Sequence, residues 1–478
     1  MAQTVTSTTT AKVLKALGVF GGVQVATILC SIIRTKLVAL WIGPAGVGLI
    51  TLYNSTIELL SNTTQLNLRQ SAVRDIAAAD DTGRMIAVVR RLALVLGTAG
   101  MVLVAASSPL LSRLTFGDST HTIAFAILSA MMLLSAVASG EWAVMQATGQ
   151  LRVLARSTLL ASVTATAAAI PLFYFMRSGG IVPVLVVFAA SNCVYALAFR
   201  TAGNPQLPPA VRQLWNEGRG MLALGFYMTV SMGLTLLASY IFAVWLNRIG
   251  GEDAVGIYQA GYTLVNSYVG MIFTAISMEY YPRLTSVAAS TMRTEVVVSH
   301  EIKIALWLLM PVTALFIGLK GLMVDILYSP GFHAALPYIS LAIIGVGLRG
   351  ASWCMAYVIL ARGDGRIYVF TELTSAAAYL ALNIPLYLHW GYAGLGLAYI
   401  GWYAVYTAIC YGVYRLRYRL HLRHGIVPLL LSAIAVGALS LYLDTTIGIA
   451  APIGIAVLAA IAAYRAIIRK RNNKPYTL

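Results

Sequence analysis

The chain is an almost unbroken succession of apolar segments, each long enough to cross the hydrocarbon core of a membrane. A core of about 30 Å requires roughly 20 apolar residues in helical form. Only 10% of the 478 residues are charged and 59% are hydrophobic, a balance that favours a membrane protein over a soluble one. We therefore predict an all-α integral membrane protein with about fourteen transmembrane helices. The predicted spans lie near residues 12–41, 45–66, 85–107, 122–146, 153–176, 181–200, 221–247, 254–280, 302–322, 335–361, 367–389, 393–414, 426–443 and 447–467.

The positive charges indicate how these spans are oriented. With the amino terminus in the cytosol, 26 of the 33 Lys and Arg residues fall on the cytosolic side and four fall in outer loops. Positive residues favour the cytoplasmic side of a membrane, so both termini are predicted to be cytoplasmic. The net charge of +17 then reflects topology, and nucleic-acid binding is not expected. No cleavage site follows the first apolar run, which we interpret as an uncleaved helix.

The chain also repeats itself. Residues 145–174 resemble residues 359–388, and residues 41–53 resemble residues 249–262. Both pairs lie six spans apart, which indicates parallel repeats: two pseudo-symmetric six-helix bundles around a central cavity, plus two C-terminal helices. The predicted divisions are an N-terminal lobe (1–205), a cytoplasmic linker (206–220), a C-terminal lobe (221–420), and two additional helices with a basic tail (421–478).

Four stretches in the first ten spans carry a resemblance to a known family. They read GPAGVGLITLYNSTIELL (43–60), RQSAVRDIAA (69–78), GIYQAGYTLVNSY (256–268) and YYPRLT (280–285). In their order and spacing they resemble the O-antigen flippases, the Wzx-type polysaccharide branch of the multidrug/oligosaccharidyl-lipid/polysaccharide exporter (MOP) superfamily. The resemblance covers spans one to twelve, whereas fourteen spans is the number found in the related lipid II flippases.

The resemblance implies a function at the bacterial inner membrane. A member of this branch would move an undecaprenyl-diphosphate-linked oligosaccharide from the inner to the outer leaflet by alternating access. Membrane lipids are implied partners, as are a polysaccharide polymerase and a chain-length regulator. No cofactor is implied, and a monomer is the expected state. A drug or cation antiporter of the same superfamily and a lipid II flippase are alternatives.

Arg349 is the charge placed deepest in a predicted span. It lies almost at the midplane, and a charge there costs several kcal/mol unless it faces a cavity, a partner or a ligand. One hypothesis is that its guanidinium binds the diphosphate of the substrate through paired N–H donors. An interhelix ion pair with Glu58 is the alternative.

Two further cations, Arg34 and Lys36, interrupt the first span. If Trp41 marks the outer interface, Arg34 lies roughly 10 Å below it and is predicted to form a second anion contact in the cavity. Lys36 points about 200° away around the helix. We expect it to extend towards the outer headgroups, and it is the weaker candidate for binding substrate.

Two carboxylates lie within predicted spans. Glu58 would balance the charge of the cavity arginines or exchange protons during transport, since burial and nearby cations shift a carboxyl pKa in opposite directions. Glu141 is a second candidate for the same role. Four arginines in inner loops either reflect topology alone or guide an anionic headgroup to the cavity: Arg69, Arg74, Arg152 and Arg366.

The sequence motifs of several other classes of protein are missing. No GxxxxGK[ST], HExxH, GxSxG or CxxC pattern is present, so nucleotide hydrolysis by a P-loop and the corresponding hydrolases are not predicted. The four cysteines have no metal-type spacing, and no metal site is expected. A membrane-embedded glycan ligase or polymerase is the alternative from a different class. The short outer loops argue against it, and a transporter is the prediction.

Overall fold

A computed structural model describes residues 23, 25–200 and 211–472, and these residues are helical almost throughout. The start of the first predicted span, part of the predicted linker and the end of the basic tail lie outside these residues, as do both termini. By contacts between residues the chain forms two compact units, Met1–Gly256 and Ile257–Leu478. The division into repeat-based lobes remains a prediction. The contact-based units place the seventh predicted span in the first unit.

The first unit consists of helices that run back and forth. They are α1 (25–41), α2 (Pro44–Gln65), α3 (Leu68–Ala78), α4 (Thr82–Phe116), α5 (Thr122–Leu128), α6 (Ala130–Ala147), α7 (Leu151–Met176), α8 (Ile181–Ala198) and most of α9 (Val211–Thr263). Helix α4 packs on α6, and α7 packs on α8. Buried side chains of α3, α4 and α6 form one apolar core of this unit.

The second unit continues from the end of α9. It contains α10 (Val269–Val287), α11 (Thr291–Leu327), α12 (Leu336–Ala342), α13 (Val346–Ala361), α14 (Gly365–Gly412), α15 (Ile426–Thr446) and α16 (Ala450–Asn472). Helix α11 packs against α13, α15 and α16. An ion pair of 2.5 Å joins Lys320 on α11 to Asp444 on α15. The two C-terminal helices are therefore attached to the second unit through α11.

Eight helical stretches among the described residues are long and apolar enough to cross a membrane, which confirms an all-helical membrane protein. Two of these stretches, Leu151–Ala198 and Gly365–Arg417, each contain a break at which the backbone leaves the helical conformation. The break lies at Arg177 in the first and at Gly391 in the second. A stretch of 48 or 53 residues is about twice the length that one crossing requires.

Backbone geometry reproduces the sequence repeat within each unit. Gly43 and Gly251 share an unusual conformation, with φ/ψ of 89°/−163° and 72°/−176°. Matched residues elsewhere also have left-handed φ angles: 73° and 71° at Gly149 and Gly363, and 52° and 56° at Arg177 and Gly391. Glycine adopts such angles without strain and Arg177 adopts one as a non-glycine residue, so equivalent positions of the two repeats share their backbone conformation.

The closest approach between helices of the first unit occurs at two glycines that the repeat had paired. A Cβ atom added to Gly48 on α2 would lie 1.9 Å from the carbonyl oxygen of Glu252 on α9. A Cβ atom on Gly256 would lie 1.9 Å from the carbonyl oxygen of Pro44. Small residues permit such close helix crossings in membranes, so these two glycines allow α2 and α9 to meet.

We expect Gly48→Ala to destabilise the protein by about 1–3 kcal/mol, because the added methyl group forces two backbones apart. The measurement is the unfolding temperature of the purified protein in detergent. Gly321→Ala on α11 is the matched control, since an added Cβ there meets no atom within 4 Å and alanine favours a helix. Equal unfolding temperatures for the two variants would contradict this account of the crossing.

Candidate functional site

Arg349 lies on α13 in the interior of the second unit, where it is held by a side chain from a neighbouring helix. Its Nη1 donates a hydrogen bond of 2.8 Å to Oδ1 of Asn266. The hydroxyl of Tyr399, on α14, donates to the same oxygen at 3.2 Å. Asn266 therefore serves as the acceptor for two donors and fixes the orientation of the guanidinium.

Aromatic rings surround the same cation. The guanidinium carbon of Arg349 lies 5.2 Å from the ring centre of Phe273 and 5.9 Å from that of Tyr403. Such contacts stabilise a desolvated cation by roughly 0.5–2 kcal/mol each. A guanidinium has five N–H donors, so the charge retains donors for a bound anion after Asn266 has taken one.

The Arg349 side chain lines a cavity of about 400 Å³. On one wall, Arg349, Trp353 and Tyr357 are spaced four residues apart along one face of α13. The opposite wall is the segment 266–277, which contributes the side chains of Asn266, Phe273 and Ser277. The cavity is therefore lined by one cation, by polar groups and by aromatic rings, and the Trp353 and Tyr357 ring centres are 4.6 Å apart.

Irregular backbone accompanies both members of the Arg349–Asn266 pair. Asn266 lies in a π-helical turn, Leu264–Tyr268. A 3-10 turn, Ile343–Gly345, precedes the helix that carries Arg349. Single π and 3-10 turns within longer helices often accompany functional positions and hinges; here the π turn contains Asn266, and the 3-10 turn ends shortly before Arg349.

Arg34 lies in the first unit, on α1, and contacts α7 and α8. Its Nη1 donates to Oγ1 of Thr166 at 2.9 Å and to the carbonyl oxygen of Ser162 at 3.3 Å. Its guanidinium carbon lies 4.7 Å from the ring centre of Phe188. The structure thus provides neutral oxygen acceptors and an aromatic ring for the guanidinium of Arg34. Lys36, two residues further along the same helix, is half-buried.

Glu58 has an exposed side chain on α2. It forms no ion pair with any residue in the described part of the chain. In the repeat its counterpart is Asn266, the acceptor for Arg349. The counterpart of Arg349 is Ser135, whose hydroxyl accepts a hydrogen bond of 3.0 Å from Nε2 of Gln65. The two repeats therefore carry different charges at matched positions.

Glu141 is buried in an arginine cluster that the sequence pattern did not reveal. Nε and Nη2 of Arg90 donate to its two carboxylate oxygens, each at 2.8 Å. Nε of Arg200 lies 3.4 Å from one of them. Glu141 is thus a fully paired carboxylate that joins α4 and α6 to the end of α8.

The four arginines predicted to lie in inner loops have different surroundings within their units. Arg69 lies with its guanidinium carbon 5.3 Å from the ring centre of Trp142. Arg74 pairs with the adjacent Asp75 at 2.6 Å, and Arg152 and Arg366 are exposed in the first and second unit. Within the described residues, no group of three or more His, Cys, Asp or Glu side chains is suited to hold a metal ion.

The sequence reasoning missed the residues that position Arg349. Asn266, Tyr399 and Tyr403 are not among the residues that the sequence singles out. A polar Asn within an apolar helix was the available signal, since intramembrane polar groups usually have a partner. The tyrosines gave none, because Tyr is common throughout this chain, with 26 residues.

Comparisons with known proteins place this site in a family context. Residues 11–337, more than half of the chain, match the family described as polysaccharide biosynthesis protein. The chain is 23% identical over 402 residues to proteins named lipid III flippase from Escherichia coli (strain K12) and from Shigella flexneri. Each alignment covers 80% of this chain and 93% of the relative.

Solved structures with the same fold include transporters of two kinds. A structure of the lipid II flippase MurJ in an inward closed conformation has a TM-score of 0.72 and 12% identity, covering 95% of this chain and 99% of that chain. An inward-facing multidrug resistance MATE family transporter of the MOP superfamily has a TM-score of 0.69 and 13% identity, covering 84% and 95%. At these identities the likeness shows the fold alone. The chain therefore belongs to the polysaccharide biosynthesis protein family, and its fold is that of the lipid II flippase and MATE transporter structures.

Proposed function

We propose that this protein translocates an undecaprenyl-diphosphate-linked oligosaccharide from the inner to the outer leaflet of the bacterial inner membrane by alternating access. The product would serve the synthesis of an O-antigen-like surface polysaccharide. The observation that carries the proposal is the half-buried guanidinium of Arg349, held by Asn266 at the wall of a polar and aromatic cavity. Family membership and the relatives named lipid III flippase support a lipid-linked glycan as the cargo.

The chemistry of the cavity matches the two polar parts of such a cargo. A planar guanidinium binds a phosphate oxygen pair through parallel N–H donors, so Arg349 would bind the diphosphate. Rings such as Trp353 and Tyr357 offer apolar faces with polar edges, which suits the first sugars beyond the diphosphate. A cationic drug would need a carboxylate in this cavity, and the residues that line it include none.

The remaining sequence predictions form part of this proposal. Fourteen spans with both termini in the cytosol, two six-helix lobes and a monomeric protein are proposed for the whole chain. Arg34 would provide a second anion contact, with Lys36 nearer the outer headgroups. Glu58 and Glu141 would balance charge, and the inner-loop arginines would guide the headgroup. A polysaccharide polymerase and a chain-length regulator would act on the translocated product.

Lipid analysis of cells depleted of the protein tests the proposed function. We expect an undecaprenyl-diphosphate oligosaccharide to accumulate on the cytoplasmic leaflet and surface polysaccharide to decline, and the accumulated lipid would identify the glycan. Re-expression of the wild-type chain should reverse both effects. An unchanged lipid-linked pool, together with new sensitivity to cationic drugs, would instead assign the protein to the drug or cation antiporters.

We expect Glu58→Gln to retain less than about one tenth of wild-type transport if this carboxylate exchanges protons or balances the charge of bound cargo. The amide keeps the size of the side chain and removes its charge, so folding is preserved while the electrostatic contribution of about 1.4 kcal/mol or more is lost. Transport is measured as the clearance of accumulated lipid-linked oligosaccharide in depleted cells. Full activity at normal protein level would exclude an essential role for the charge.

A further inference from the structure

A second cavity lies in the second unit, apart from the Arg349 site. It has a volume of about 700 Å³ and is lined by residues from three segments of the chain that lie at helix ends. These segments are the turn from α10 to α11, the turn from α13 to α14, and the residues that follow α14. Its charged side chains are Arg362, Arg417 and Asp364.

Neither arginine of this cavity is neutralised by a carboxylate. The side chains of Arg362 and Arg417 form no ion pair and no hydrogen bond with any residue that the structure describes, and Nε of Arg362 is buried without a partner. The guanidinium carbon of Arg362 instead lies 4.6 Å from the ring centre of Tyr418. A buried donor without an acceptor is costly and calls for an unseen partner.

The one carboxylate in the cavity is already occupied. The hydroxyl of Tyr418 donates a hydrogen bond of 2.6 Å to Oδ2 of Asp364. Burial raises the pKa of that hydroxyl, and the contact with Asp364 raises it further, so Tyr418 remains a donor at any physiological pH. Tyr418 thereby fixes both the carboxylate and the neighbouring Arg362.

The start of α11 adds to the positive potential of the cavity. Thr291, the first residue of this 37-residue helix, lines it, and Ser290 at the N-cap makes no side-chain bond to the first turn. Free N–H groups and the helix dipole favour an anion at such an end. This end supports the two arginines as an anion site and would not define one alone.

We propose that this cavity binds a phosphate group, held by Arg362 and Arg417 at the start of α11. Arginine pairs suit the geometry of phosphate oxygens, and the cavity is large enough for a phosphate with part of the molecule that carries it. The phosphate could come from the headgroup of an anionic lipid, since basic pockets at the ends of membrane helices bind such headgroups, or from a soluble phosphate compound. The site is independent of the cargo proposed above.

The test is a binding titration of the purified full-length chain, delipidated in a neutral detergent. Unfolding temperature, followed through the 8 tryptophans, is recorded against phosphatidylglycerol with phosphatidylcholine as reference. A second series uses sodium phosphate with sodium chloride at equal ionic strength. Ligand that binds only the folded state raises the unfolding temperature with concentration. A response to phosphatidylglycerol alone assigns the lipid source, and a response to inorganic phosphate assigns the soluble one.

Charge reversal at two neighbouring arginines makes the test specific. Arg417→Glu should raise the half-saturating concentration at least about tenfold, because a charge-assisted contact is lost and a negative charge then faces the phosphate. Arg415→Glu is the matched control: Arg415 is equally exposed in the same segment and does not line the cavity. Arg362→Lys, which keeps the charge and loses the planar donor pair, should weaken binding less. Coinciding titrations for the wild type, Arg417→Glu and Arg415→Glu, or no response to either probe, would overturn the proposal.

Discussion

Replacing Arg349 by alanine is expected to lower transport of the lipid-linked oligosaccharide on the order of 100-fold, because a charge-assisted, two-pronged contact with the diphosphate is lost. The substitution also removes the donor to Asn266 and the cation packed on Phe273. Transport is measured as the rate at which depleted cells clear the accumulated lipid after the variant is induced. Protein level in the membrane is quantified in parallel.

Two further variants separate substrate binding from folding. Arg349→Lys keeps the positive charge but loses the planar fork, so we expect intermediate transport. Asn266→Ala leaves the guanidinium without the acceptor that orients it, and transport should fall while the charge persists. If Arg349→Ala transports normally at normal protein level, the cation is structural and the proposed diphosphate contact is wrong.

Replacing Glu141 by glutamine is expected to destabilise the folded protein by about 3 kcal/mol or more, because two arginines then lose their buried counter-charge. The side chain of Glu141 is only 4% exposed and that of Arg90 17%, so solvent compensates little. The measurement is unfolding of the purified variant in detergent, followed by tryptophan fluorescence. A lower membrane yield should accompany the lower stability.

A double variant provides the control for this second prediction. The double variant Arg90→Leu and Glu141→Leu removes both members of the ion pair, so neither charge is left buried without its partner. It should therefore lower the free energy of unfolding clearly less than Glu141→Gln alone. Arg200, 3.4 Å from the carboxylate and 48% exposed, can turn towards solvent in that background. A double variant as unstable as the single one would show that packing at this position, rather than charge pairing, sets the stability.

Several features of the fold could be predicted from the sequence because they depend on local order along the chain. Apolar runs of helical length predict a membrane protein, and the resemblance of residues 145–174 to residues 359–388 predicts that its helices repeat. Gly149 and Gly363 illustrate this, since both have the same left-handed φ in their separate units. Gly43 and Gly251, which fall at matched positions in the repeat, also share one unusual backbone conformation.

The candidate site could be predicted only in part. That Arg349 needed a cavity or a partner followed from the cost of a charge in a membrane, and the structure places it at a cavity wall. The sequence did not identify its acceptor, Asn266, which is 83 residues away along the chain. Hydropathy does not indicate which helices cross, and the crossing determines which side chains meet. Arg34, expected to face a cavity, has acceptors on α7, whose approach to α1 no local pattern encodes.

By itself, then, the sequence determined the helical membrane class and the repeat, both of which depend on the spacing of residues along one dimension. Only the tertiary structure decided which charges are paired. Glu141 is neutralised by Arg90 and Arg200, whereas Arg362 and Arg417 face a cavity with their one neighbouring carboxylate bound to Tyr418. The physical reason is that desolvation makes each charge require a partner, while the three-dimensional packing of the helices sets which partner lies within hydrogen-bond distance.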